Sequence, residues 1–338
     1  MRRTRPLSDA FAVAPAGGVS LGDVPAGDVR AGDVRAGDVP VVVAAALGPM
    51  SLGEGPTWDA RASLARWVDI NAGRLFEARG DGGTLVTPRV ALTVDGTLGA
   101  AVQAEGGGML LATSRHLEHR GADGAVVGRV EVVPERMRSR LNDGACDPVG
   151  RYVVGSVALN SRPGRESLWR LEHDGTLTVI DDDLLLSNGV AWSPDGTVMY
   201  HVDTFRNMVF RRTYDAATGA VGVRDALIET PGEYPDGLTV GADGNLWIAY
   251  WAAGEVRRFS ADGARLATIA VGAPLTTSCA FVGAGLDVLL ITTEASAPGI
   301  PPTAASGALF ACTPGALGLP TRAWRPVPMG GRLANPPH

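Results

Sequence analysis

The 338-residue chain is 45% hydrophobic and 20% charged, a balance that excludes a disordered or fibrous polypeptide and leaves enough apolar material for a sizeable core. A net charge of -6, with no Lys/Arg-rich block in the body, excludes a nucleic-acid binder, because phosphate contacts need a basic surface. No apolar run is long enough to span a membrane, and VVVAAALGPM from Val41 falls far short.

The first residues, MRRTRPLSDAFAVAPAGG, are basic but lack the apolar stretch of a secretory signal. Three cysteines, Cys146, Cys279 and Cys312, are an odd number without metal-ligand spacing, so a reducing compartment and a cytoplasmic, soluble protein are expected. Residues 21–39 repeat a five-residue GDV unit that is too poor in large apolar groups to build a core. Residues 1–40 are therefore read as a disordered low-complexity leader, 41–328 as one folded domain and 329–338 as a C-terminal tail.

From Val41 onward the helical period is missing, and short β-branched or aromatic runs alternate with Gly, Asp-Gly and Pro-Asp-Gly turns, an all-β pattern. One type of run recurs in chain order: LARWVDI from Leu64, MLLATS from Met109, RYVVGS from Arg151, TVMYHVD from Thr197, NLWIAYW from Asn245 and DVLLITT from Asp287. Their spacing of 42 to 48 residues is that of a propeller blade, a four-stranded sheet that buries its two faces only against neighbouring blades. Each run is followed by a second one, as in GRLFEA, SLWRLEHDG and EVRRFSADG, so six units predict a six-bladed β-propeller. The seven tryptophans, mostly at repeating strand positions, are expected to pack between blades.

Four polar residues stand in register with these runs. Glu54 lies ten residues before Leu64, and Asn142, Asn188 and Asp236 lie nine before Arg151, Thr197 and Asn245; the matching places in the other two blades fall near Ala100 and Ser278. Asn-Gly and Asp-Gly are common turn signals, but turn chemistry explains neither Glu54 nor the registry. Convergence at the mouth of the central channel would give two carboxylates and two amides with one side open to a substrate. That oxygen-rich set suits one divalent cation, Ca2+, Mg2+ or Mn2+, with Zn2+ also accepted by carboxylates. His201 invites a catalytic reading, yet alternation places it within a strand as a hydrogen-bonded core or channel histidine.

The motifs GEGPTW, RLNDGACDPVGRYVVGS, SNGVAWSPDG, YPDGLTVGADGNLWIAYW and TTSCAFVG, in this order from Val42 to Trp324, resemble the regucalcin (senescence marker protein)/gluconolactonase family of six-bladed propellers. The resemblance implies a divalent metal held by Glu54, Asn188 and Asp236, with Asp236 also the general base for water attacking a lactone carbonyl. It implies that Arg140 and Asn142 contact the substrate. Where animal regucalcins carry an acid after the third blade's strand, this chain has Asn160, which can hydrogen-bond a sugar hydroxyl but supplies no charge. The expected activity is a metal-dependent lactonase acting on a small, sugar-derived lactone, with no nucleic-acid or membrane partner and as a monomer or weak homodimer. The alternatives are an organophosphate or other ester hydrolase using the same apparatus, and a non-catalytic calcium-binding propeller.

Overall fold

A computed structural model describes residues 41–42, 48–81, 84–159 and 165–329. The repeat leader, Asn160 and the end of the tail lie outside the described residues. Strand β1 (Val41–Val42) comes first, followed by six groups. Blade one holds β2 (Gly53–Asp59), β3 (Leu64–Asp69), β4 (Arg74–Asp81) and β5 (Thr84–Thr93). Blade two holds β6 (Leu98–Gln103), β7 (Met109–Thr113), β8 (His116–Arg120) and β9 (Val126–Glu131). Blade three holds β10 (Ser139–Cys146), β11 (Tyr152–Ala158), β12 (Glu166–Leu171) and β13 (Leu177–Leu184). Blade four holds β14 (Ser187–Trp192), β15 (Val198–Asp203), β16 (Met208–Thr213) and β17 (Asp225–Glu229). Blade five holds β18 (Tyr234–Val240), β19 (Leu246–Trp251), β20 (Glu255–Phe259) and β21 (Arg265–Ala270), and blade six holds β22 (Thr276–Val282), β23 (Val288–Thr293) and β24 (Phe310–Cys312).

Every blade is a four-stranded antiparallel sheet, and β1 supplies the outer strand of the sixth by pairing Val41 with Ala311 and Val42 with Phe310. The first strand of each blade touches the first strands of both neighbours, so β2, β6, β10, β14, β18 and β22 close a ring. The molecule is a six-bladed β-propeller. The recurring apolar runs form the second strands, and β19 and β23 are buried along their whole length. Both faces of such a strand meet a neighbouring blade, which selects continuous apolar sequence over alternation. At the rim, β9 and β21 are mostly exposed.

The core lies between blades. Ala100, Val102 and Leu110 of blade two pack with Tyr152, Val154 and Trp169 of blade three; Trp58 and Trp67 of blade one pack with Val282 and Leu290 of blade six. All seven tryptophans are buried, and truncating one such as Trp67 to alanine costs about 3–5 kcal/mol. The three cysteines are buried and in no disulfide. Among the described residues no helix is long and apolar enough to cross a membrane.

Candidate functional site

The four registered residues lie on the innermost strands of their blades, each ahead of the second strand from which its register was counted. Asn142, Asn188 and Asp236 sit in β-bulges of these strands, and Glu54, still paired with Val68, stands at the edge of one. Pairing with the second strand is interrupted between Glu54 and Thr57, between Leu141 and Gly144, between Ser187 and Val190, and between Pro235 and Leu238. A bulge takes a residue out of the ladder and re-aims its side chain. The glycines serve close approach between blades rather than chain reversal: a Cβ on Gly189 would lie 2.5 Å from the Leu238 nitrogen, and one on Gly237 2.1 Å from Ser278 Oγ. In blades two and six the interruption is a single residue, Gly99 and Thr277, and brings no acid or amide.

These bulges bring Glu54, Arg140, Asn142, Asn188 and Asp236 together around one cavity of about 20 Å³, space for a single water or small ion. Leu52, Thr204, Phe205, Tyr234 and Trp251 complete its wall. His201 is not part of that lining. Its ring lies behind Ser187, with Nε2 2.8 Å from Ser187 Oγ, and burial followed by Arg212 and Arg224 pushes its pKa down to about 3.

A directed chain of hydrogen bonds fixes the polar wall. Arg140 Nη1 donates to the Leu141 carbonyl (3.0 Å) and to Asn142 Oδ1 (2.7 Å), while Asn142 Nδ2 donates to the Ser187 carbonyl (2.9 Å) and Asn188 Oδ1 (2.7 Å). Asn188 Nδ2 then donates to Thr204 Oγ1 (2.9 Å), which donates to the Pro235 carbonyl beside Asp236 (2.7 Å). Arg140 thus orients two amides on successive blades. Burial lowers its own pKa to about 10, against the opposing pull of Glu54, Glu294 and Asp236, so it stays cationic at neutral pH.

The carboxylates are in a different condition. Burial first, then Asp143, raises the Glu54 pKa well above the ordinary range, although the Gly55 N–H bonds Oε2 at 3.1 Å. Burial and then Glu54 do the same to Asp236, whose Oδ1 is buried without a hydrogen-bond partner. Buried acids that repel one another and leave an oxygen unused fit a bound cation, because it neutralises both charges and takes the spare oxygen. Among the described residues no group of three or more His, Cys, Asp or Glu side chains is gathered as a metal centre, so a third donor in this pocket would be the Asn188 amide.

Three residues of this region escaped the sequence reading. Asp143 shares the bulge with Asn142 but lines a wider cavity farther along the axis, and burial raises its pKa to about 6. Thr204 links Asn188 to blade five. Glu294, just past β23, accepts a 2.7 Å hydrogen bond from Trp251 Nε1, and burial raises it to about 7. Trp251, expected only to pack, therefore also holds a carboxylate.

Residues 52–295 match the family described as the SMP-30/Gluconolactonase/LRE-like region. Pentonolactonase XacC of Haloferax volcanii is 35% identical over 276 residues, covering 78% of this chain and 91% of that protein. Among solved structures, a luciferin-regenerating enzyme superposes with a TM-score of 0.78 at 26% identity over 85% of this chain and 99% of that one. The calcium-binding protein regucalcin from Agrobacterium tumefaciens superposes with a TM-score of 0.74 at 28% identity, over 82% and 95% of the two chains. With the match spanning most of the propeller and all five converging residues, this chain belongs to the SMP-30/gluconolactonase/LRE-like family.

Proposed function

We propose that this protein is a metal-dependent lactonase that opens a sugar-derived lactone to its aldonic acid. The observation that carries the reading is the pairing of two buried, mutually repelling carboxylates with an arginine and amide relay around one small cavity. The pentonolactonase relative supports the substrate class, and the calcium-binding regucalcin structure supports a divalent ion.

Glu54, Asn188 and Asp236 would hold that ion, which is Ca2+, Mg2+, Mn2+ or Zn2+ by the hardness of its oxygen donors. When bound, it supplies Lewis acidity toward an ester carbonyl and acidifies water. Asp236 removes a proton as water oxygen bonds to the carbonyl carbon. The ring C–O bond then breaks, and the same carboxyl returns the proton to the leaving alkoxide, leaving a hydroxy acid. Arg140 and Asn142 orient the substrate's oxygens, and the guanidinium offsets charge that develops on them. Asn160, outside the described residues, is proposed as a further hydroxyl contact.

The test is a pH-indicator screen of lactones and phosphotriesters on metal-stripped protein, with each cation added back. Metal-restored hydrolysis of aldonolactones is expected. Higher kcat/KM on a phosphotriester would transfer the assignment to an organophosphate hydrolase, and metal binding without any turnover would make it a binding propeller.

A further inference from the structure

We propose that Phe205 and Tyr234 form an aromatic mouth that holds the carbon ring of the substrate over the cavity, with Asn207 as the positioning residue that sets it; this rests on the lactonase reading above. The cavity of about 20 Å³ has space for a single water or small ion, so a lactone reaches in with its ester group while its ring carbons stay at the opening. Every residue lining the cavity is buried except Phe205 and Tyr234, which are half-buried and so mark where it meets solvent. They come from adjacent blades. Phe205 lies in the short 3-10 turn Thr204–Arg206 that follows β15, and Tyr234 is the first residue of β18.

Hydrogen bonds tie the two aromatic positions together. Asn207 ends the turn with a φ of 57°, a left-handed conformation that asparagine tolerates. Its Nδ2 donates to the Thr204 carbonyl (3.1 Å), just before Phe205, and to the Glu233 carbonyl (2.5 Å), just before Tyr234. Its Oδ1 accepts the Gly232 N–H at 3.2 Å. A further bond runs from Thr204 Oγ1 to the Pro235 carbonyl, just after Tyr234 (2.7 Å). The Tyr234 ring meets the Trp251 indole edge-on with centroids 5.7 Å apart, and that indole is itself held by its 2.7 Å hydrogen bond to Glu294 Oε2. Aromatic side chains fixed in this way give the C–H groups of a lactone ring a dispersion contact, and they lose little freedom when it arrives. Arg140, Asn142 and Asp236 then take the polar end of the substrate, and the mouth takes its carbon end.

The experiment measures kcat and KM of metal-supplemented wild type, Tyr234→Leu, Tyr234→Phe, Phe205→Leu and Asn207→Gly on an aldono-1,5-lactone and on unsubstituted δ-valerolactone, with thermal unfolding as a check on folding. Tyr234→Leu and Phe205→Leu are each expected to raise KM by about 3- to 10-fold on both lactones with kcat within about twofold, because a contact to ring carbons is made equally before and in the transition state. Tyr234→Phe, the conservative variant that keeps the ring, is expected to restore KM to within about twofold of wild type. Asn207→Gly keeps both rings and tolerates the left-handed turn, yet is expected to raise KM by about the factor that losing one ring does. A loss in Tyr234→Phe equal to that in Tyr234→Leu, or confined to the hydroxylated lactone, would overturn the proposal, since that pattern means the phenol reads a hydroxyl. Unchanged KM in folded Asn207→Gly would overturn the positioning role. Wild type that opens neither lactone removes the lactonase reading and this proposal with it, whereas active wild type with KM unaltered in both leucine variants removes this proposal alone.

Discussion

Blades one, four and five bury two kinds of acid. Asp69 accepts the N–H groups of Ser51 (2.9 Å) and Leu52 (3.1 Å), and Asp203 accepts those of Leu185 and Leu186 (3.1 Å each). Those carboxylates are matched by backbone donors, and they tie down the segments that enter β2 and β14. Glu54 and Asp236, on the innermost strands of blades one and five, are equally buried, yet Asp236 keeps an oxygen without a partner and the charge of Glu54 pushes it toward protonation. Burial alone does not separate a structural acid from a reactive one. The separation lies in whether the protein itself has answered the charge.

The comparison breaks most visibly at the second kind of acid. Asp236→Asn and Glu54→Gln are each expected to lower turnover by about 10³-fold, within the usual range for loss of acid–base chemistry. In chelator their melting temperatures should match or exceed that of wild type, because an uncompensated buried charge is gone. A variant that is fully active, or one that fails to fold, would erase the distinction from the structural acids.

Arg140→Lys tests the relay between the two kinds. The ammonium of the shorter lysine side chain cannot reach the place from which Arg140 Nη1 donates to both Leu141 O and Asn142 Oδ1, so a loss of about tenfold in kcat/KM is expected, carried mainly by KM. Asp203→Ala should show the reverse pattern. Leaving the Leu185 and Leu186 N–H groups without their acceptor is expected to cost about 1–3 kcal/mol in urea unfolding while turnover stays within about tenfold.

His201 gives the smallest and most specific effect. Its folded pKa of about 3 lies below the ordinary imidazole value, so the folded state excludes a proton that the unfolded chain binds. Its contribution is fully present above about pH 6.5 and is lost as pH falls toward 3, by about 1.4 kcal/mol per unit in that window. His201→Gln should flatten that part of the stability profile relative to wild type, measured by urea unfolding between pH 7 and pH 5. An unchanged slope would mean that the ring takes up its proton in the folded state.

The propeller was legible because every blade repeats one apolar run, and the same repeat exposed Glu54, Asn142, Asn188 and Asp236 by registry. What repetition did not mark stayed hidden. Glu294 and Thr204 each stand one residue past a second strand, at matching places in blades six and four, but one is a carboxylate and the other a hydroxyl, so the shared register did not single them out. The bulges were obscured for a different reason: Asn188-Gly189 and Asp236-Gly237 are chemically the same as hairpin turns. What decides between turn and bulge is the neighbouring inner strand, 2.5 Å from a Cβ that glycine lacks, and that strand is remote in sequence.

The pairing of β1 with β24 sets an order of events for the newly made chain. Val41 and Val42 leave the ribosome early but find Ala311 and Phe310 only after nearly every other strand has been synthesised. Their partnership carries the largest loop-closure cost in the ring and belongs to its final stage. Blade six, whose Glu294 accepts the Trp251 indole hydrogen bond, is thus completed last. A nascent chain can assemble five complete blades before it can close the sixth.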